Sequence, residues 1–268
     1  MTQASLRNPA APVEQQVSAD EPVLVFESNL AGKHGKGTSF LAEKCHGAAA
    51  GKGWGLQGGS YAIPVFDKDL MPVSATILSN YVQSFLKHAA GTPQQRYRVT
   101  ALGFGNPNVS QAELVKMFAR APANCLLPGR WLELLGKLDS VRIIVLDTAA
   151  ALRSEKVQQR LDDYFAINAP LWTNKVVEIV SAGSPQSVMA NDQYARARNY
   201  RHRIVNVNEV FYRNYLNQAR EDAAVWYATR ILNIAEPDQT SQGSTLRILQ
   251  SAIRAGLEIE DITLGEQF

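Results

Sequence analysis

The chain has 268 residues, 46% of them apolar, and a formal net charge of +2. That length predicts two domains rather than one, and the apolar fraction is enough for a core in each. A charge so near zero, with lysines and arginines scattered, gives no electrostatic case for nucleic acid as the main partner. The cysteines, Cys45 and Cys125, lie far apart and have no neighbouring cysteine. They read as reduced thiols of a cytoplasmic protein. No apolar run approaches the ~20 residues of a membrane span, and the N-terminus lacks the charged-then-apolar order of a secretion signal. No membrane partner is therefore expected.

Residues 1–21 show no periodicity and read as a flexible tail. The first domain is expected over 22–138. It opens with the buried-strand run Val23 to Phe26, followed by Ser28, Asn29, Gly32, Gly35 and Gly37 and a helical segment from Thr38 to Cys45. A strand emptying into glycines and then a helix brings backbone N–H groups close to an anion. A second glycine cluster, Gly47 to Gly59, leads into the apolar run Tyr61 to Ile63. Val73, Ile77, Tyr81, Phe85 and Leu86 then share a helix face, which Gly91-Thr92-Pro93 ends. Arg96 to Leu102 alternates as a half-buried strand and runs into Gly103, Phe104, Gly105, Asn106, Pro107 and Asn108. Ser110 can cap the next helix, which carries Leu114, Val115 and Phe118, and Ala121 to Trp131 reads as an extended closing segment. Two strand-to-glycine-loop junctions can converge on one ligand at the carboxyl edge of a sheet.

The second domain is expected over 139–268. Strands at Val141–Leu146, Val176–Ser181, His202–Val207, Ile231–Ala235 and Leu257–Leu264 alternate with helices. One helix face carries Val157, Leu161, Tyr164 and Phe165; a helix runs to about Arg198, and another span from Glu209 to Tyr227 is mostly helical. The last helix is read with Leu246, Leu249 and Ile253 on its face. This alternation predicts an α/β, doubly wound, Rossmann-like parallel sheet. Its ligand edge is expected where the loops after Ser181 and Ala235 meet. Gly183 and Ser184, with Gly243, Ser244 and Thr245, form a candidate second site; the latter group reads equally as an anion site or a plain helix cap.

The stretch Phe26 to Pro64, with Ser28-Asn29, Gly35, Gly37, Gly47-Ala48, Gly55 and Gly59-Ser60-Tyr61-Ala62-Ile63-Pro64, resembles the macro-domain-like proteins common in bacteriophages. The resemblance extends through Val99-Thr100, Gly103, Gly105, Met117-Phe118 and Asn124-Cys125. It implies a three-layer α/β/α domain that binds ADP-ribose, with Asn29 on the distal ribose, Gly35 and Gly37 beside it, and Gly103 to Asn108 around the diphosphate. The second domain is similar to the SLOG nucleotide-binding superfamily at Val180-Ser181-Ala182-Gly183, Tyr194-Ala195, Arg220-Glu221 and Ser241 to Thr245. Two departures stand out: the loop GFGNPN lacks a further glycine, and Pro185 removes an N–H donor near the second-domain loop.

Other candidates have two readings. His34 is an exposed loop residue or a ligand contact, and Trp54 is an adenine platform or a core cover. Lys33 and Lys36 are phosphate partners or solvated. Asp67 and Asp69 read as a charged turn before an acid/base pair, and His46 as a helix C-terminal dipole contact. His88 and His202 read as packing or surface residues, and no Ser/His/Asp or metal constellation stands out. Two functions follow. The first is binding, and if catalytic hydrolysis, of ADP-ribose or a related nucleotide, with no further cofactor. The second is a non-enzymatic factor that contacts phage or host proteins in host takeover or trafficking, including the shell of a nucleus-forming phage.

Overall fold

The computed structural model describes residues 21–103, 105–146, 154–181, 185–235 and 243–263. All of the expected tail except Glu21, together with Phe104, Gly183 and Ser184, lies outside them. Each half builds a five-stranded α/β sheet, and all strand pairings are parallel except that of one short strand.

In the first unit the strands are β1 (Val23–Asn29), β2 (Gly55–Gln57), β3 (Ser60–Phe66), β4 (Tyr97–Val99) and β5 (Cys125–Leu126), in the order β2-β3-β1-β4-β5. Only β2 runs antiparallel to its neighbour. Successive side chains of β1 point to opposite faces, as a strand requires. Val23 and Val25 join a core with helices α2 (Ala75–Gly91), α3 (Gln111–Met117) and α4 (Gly129–Leu134). Leu24 and Phe26 pack with Ala42 of α1 (Gly37–Cys45) on the other face. Trp131 is fully buried against Phe118, ring centroids 5.0 Å apart. The start of α3 is fixed by a reciprocal capping box between Ser110 and Glu113.

The buried face of α2 is Leu78, Val82, Phe85 and Ala89; of the expected stripe Val73 and Phe85 are buried and Tyr81 and Leu86 pack against the same core, whereas Ile77 is 46% exposed. Val73 lies before the helix begins, so the register read from it was displaced. The expected strand from Arg96 to Leu102 is confined to Tyr97–Val99. The Thr100 hydroxyl bonds back to the Val25 carbonyl, and the chain leaves the sheet there. The closing segment contains β5 and then α4, so it is only partly extended.

The second unit comprises β6 (Ser140–Leu146), α5 (Glu155–Asn168), β7 (Val176–Ser181), α6 (Pro185–Ala197), β8 (Arg201–Ile204), α7 (Glu209–Tyr212), α8 (Leu216–Tyr227), β9 (Arg230–Ala235), α9 (Gly243–Ala255) and β10 (Glu258–Thr263). Its sheet is all-parallel, ordered β10-β9-β6-β7-β8. Val141, Ile143 and Val145 bury against Val157, Leu161 and Phe165 of α5 and Tyr194 of α6. Ile144 and Leu146 face Ala224 and Val225 of α8 and Ile248 and Ala252 of α9. The sheet is covered on both sides. On α9 the buried residues are Ile248, Ala252 and Ala255, whereas Leu246 and Ile253 are 42% and 53% exposed, so the expected face is corrected by about one residue. The strand order reverses between β6 and β9. The loops flanking that reversal follow Leu146 and Ala235, and the loop after Ser181 is one strand further out than expected.

The units meet through α8, which covers the part of the first sheet that α1 leaves open. Leu41 and Cys45 of α1 pack on Tyr212 and Ala219, and the Trp226 indole N–H donates to the Val99 carbonyl at 2.7 Å. Gly129 comes so close to this helix that a Cβ there would stand 2.1 Å from the Tyr227 carbonyl oxygen. A ring of alternating charges closes the junction: Arg130 pairs with Glu133 (2.5 Å) and Glu258 (2.8 Å), and Arg230 pairs with the same two carboxylates, each at 3.0 Å. No described helix is long and apolar enough to cross a membrane. Both cysteines are free and buried, and burial pushes the Cys125 thiol up to about 11.

Candidate functional site

Between the units lies a cavity of about 270 Å³, walled by β1, β4 and the start of α1 on one side and by α8 and α9 on the other. That volume is just below the range of small-molecule sites, which run from roughly 300 Å³ upward. The strand order of the first sheet reverses between β1 and β4, and the cavity borders that point, where parallel sheets take their ligands.

Its polar lining comes from both halves. Lys36 is the N-cap of the nine-residue α1, and no side chain caps that end. Gly37 follows at φ +55, a conformation that favours glycine. A Cβ on Gly37 would stand 3.2 Å from Nη1 of Arg254, so the guanidinium of α9 lies at the amino end of α1. Arg98 points from β4 into the same space and donates to the Tyr212 hydroxyl at 3.0 Å. Arg254 therefore stands at the positive end of a helix dipole, in a cavity that Lys36 and Arg98 also line. That arrangement is unfavourable by itself and favourable around an anion.

Deeper in the cavity is Asp222. Its Oδ1 accepts from the Ser251 hydroxyl at 2.9 Å, while Oδ2 is buried without a partner among the described residues. Burial pushes this carboxyl above the ordinary range against the opposing pull of Ser251, Arg98 and Arg254, which favours a neutral, hydrogen-donating form. The Trp226 side chain forms part of the wall. His46, behind Arg98, is fully buried and meets the Tyr212 hydroxyl at 3.1 Å. Burial, and then the Arg98 charge, lowers it to about 3, so it is neutral and not the cationic dipole partner expected of it.

Of the sequence-singled residues, Lys36, Gly37 and Thr100 line this cavity, and none of the expected ligand-binding asparagines does. The second glycine loop meets the strand that leads into the first: the Gly103 N–H donates to Glu27 Oε2 of β1 at 2.7 Å, and Glu27 is a cavity residue. Their asparagines are occupied within the loops. Asn29 Nδ2 donates to the Lys33 carbonyl and its Oδ1 accepts the Lys33 N–H. Asn106 donates to the Val65 and Val73 carbonyls and accepts the Asn108 N–H, while Asn108 donates to the Pro72 carbonyl. Ser28 is buried, and Gly35 and Gly105 are exposed. His34 is buried against Phe26 and is not an exposed loop residue. Asp67 closes its own turn on the N–H groups of Asp69 and Met71. In the second unit Ser244 Oγ bonds Glu221, which also holds Arg247, and Gly243 opens α9 at φ +59.

Arg98, Asp222 and Arg254 carried no local motif; only packing of the two units brings them together. His202, read as a packing or surface residue, bonds both Ser181 and Asp192. Among the described residues no His, Cys, Asp and Glu groups cluster as metal ligands. No protein-family model matches the chain, and neither a curated protein nor a solved structure matches it.

Proposed function

We propose that the chain binds a phosphate-bearing nucleotide of the ADP-ribose class in the cavity between its two units. The observation that carries this reading is Arg254 at the uncapped amino end of α1, in a cavity that Lys36 and Arg98 also line. A phosphoryl group there accepts backbone N–H groups and a guanidinium together. Asp222, with its unpartnered Oδ2, suits a ribose hydroxyl or a base nitrogen, and Trp226 offers an aromatic wall. The macro-like reading of the first unit and the Rossmann-like reading of the second are consistent with this use. Counted from β6, the second sheet has the strand order 3-2-1-4-5 of dinucleotide folds.

Isothermal titration calorimetry with ADP-ribose, NAD and AMP tests the proposal. Saturable heat with at least one of them is expected, and its absence with all three refutes it. The protein-contact reading, with phage or host proteins as partners, is favoured by one observation. Trp54 is 57% exposed over Tyr81, and Ile77, one turn earlier on α2, is also exposed.

A further inference from the structure

We propose that Ser181, His202 and Asp192 form a nucleophile relay that accepts acyl groups from small esters, a chemistry separate from nucleotide binding. None of the three lines the cavity between the units. Ser181 Oγ lies 3.0 Å from His202 Nε2, and His202 Nδ1 lies 3.2 Å from Asp192 Oδ1. These are the distances at which a base takes a hydroxyl proton while a third group orients the base.

The topology explains the meeting. Ser181 ends β7 at the carboxyl edge of an all-parallel sheet, the edge at which such sheets do their chemistry. His202 is on the adjacent strand β8, paired with Ile179, so both side chains point toward α6. Asp192 and Asn191 come down from α6. The Asp192 carboxylate, also held by Arg196 at 2.7 Å, favours the His202 tautomer that donates from Nδ1. Nε2 is then a lone pair facing Ser181, so the hydroxyl proton points at it. Asn191 Nδ2 donates to the same Oγ at 2.8 Å and occupies an acceptor site without competing for that proton. In that tautomer the contacts run in the direction that general-base activation requires.

In the reaction Ser181 Oγ bonds to the ester carbonyl carbon as its proton passes to His202 Nε2. The tetrahedral adduct collapses with cleavage of the ester C–O bond, and the departing alkoxide takes the proton from His202. Water, deprotonated by the same imidazole, then releases the carboxylic acid and restores the serine. Ser181 is only 3% exposed, which limits the donor to short acyl groups such as acetyl. Asp192 is a positioning residue.

The test uses the full chain with a short-chain fluorophosphonate and, separately, p-nitrophenyl acetate. The expected result is one adduct mapped by fragmentation to Ser181, and acetate release that Ser181→Ala abolishes and His202→Gln lowers by about 10²–10⁴-fold. Asp192→Asn is expected to move the pKa in the pH–rate profile downward, because the charge that favours the imidazolium is gone. A merely structural chain of hydrogen bonds would not produce that shift. The labelling needs no variant and is therefore independent of any folding defect. No adduct on Ser181, or equal hydrolysis by the wild type and Ser181→Ala, overturns the proposal.

Discussion

Replacing Glu133 with alanine is expected to destabilise the protein by about 3–5 kcal/mol, the range for removing one partner from a buried ion pair. Glu133 is bonded by Arg130 and Arg230, and the three side chains are only 10%, 15% and 10% exposed, respectively. Without its carboxylate both guanidiniums rely on Glu258 alone, which is 44% exposed and offers a more screened charge. Because Arg130 belongs to the first unit and Arg230 to the second, the loss falls on their junction. Urea unfolding followed by tryptophan fluorescence measures it. A cost below about 1 kcal/mol, the value typical of surface pairs, would show that water screens the ring.

The second large effect concerns the ligand. Arg254→Ala is expected to weaken ADP-ribose binding by roughly ten- to a hundredfold, since a charge-assisted hydrogen bond contributes about 1.5–3 kcal/mol. Arg254 is exposed and makes no ion pair with a described residue, so the same change is expected to leave stability within about 0.5 kcal/mol. Titration calorimetry and thermal unfolding on one preparation separate the two quantities. An unchanged dissociation constant would move the anion away from the end of α1.

Local physics explains which parts of the fold the sequence disclosed. The β-branched run at Val141–Leu146, the stripe Val157, Leu161, Tyr164 and Phe165, and Ser110 ahead of α3 each carry their signal within a few residues, and all three form as expected. The faces of α2 and α9 were read only in part, with Ile77, Leu246 and Ile253 wrongly placed inward, because each helix has apolar residues at two overlapping registers. Ile77 and Ile253 are as apolar as Leu78 and Ile248, and only the position of the sheet decides which are covered.

The candidate site was less legible for a related reason. Gly37 was visible because a glycine opening a helix after a strand has a recognisable local pattern. Arg98 looked like one member of an alternating strand, and Asp222 and Arg254 like the polar face of ordinary helices. They become a site when α8 and α9 close over β4, a long-range packing event with no local sequence signature. The Ser181, Asp192 and His202 relay was hidden in the same way, since parallel strand pairing and not residue spacing sets that geometry.

The most direct test of the central claim is a backbone-amide and indole NMR titration of the full chain with ADP-ribose. The cavity reading requires the largest shifts at Gly37, Thr38 and Ser39 and at the Trp226 indole N–H. Shifts confined to Asn29–Gly35 and Gly103–Asn108, or no shifts at all, would contradict it.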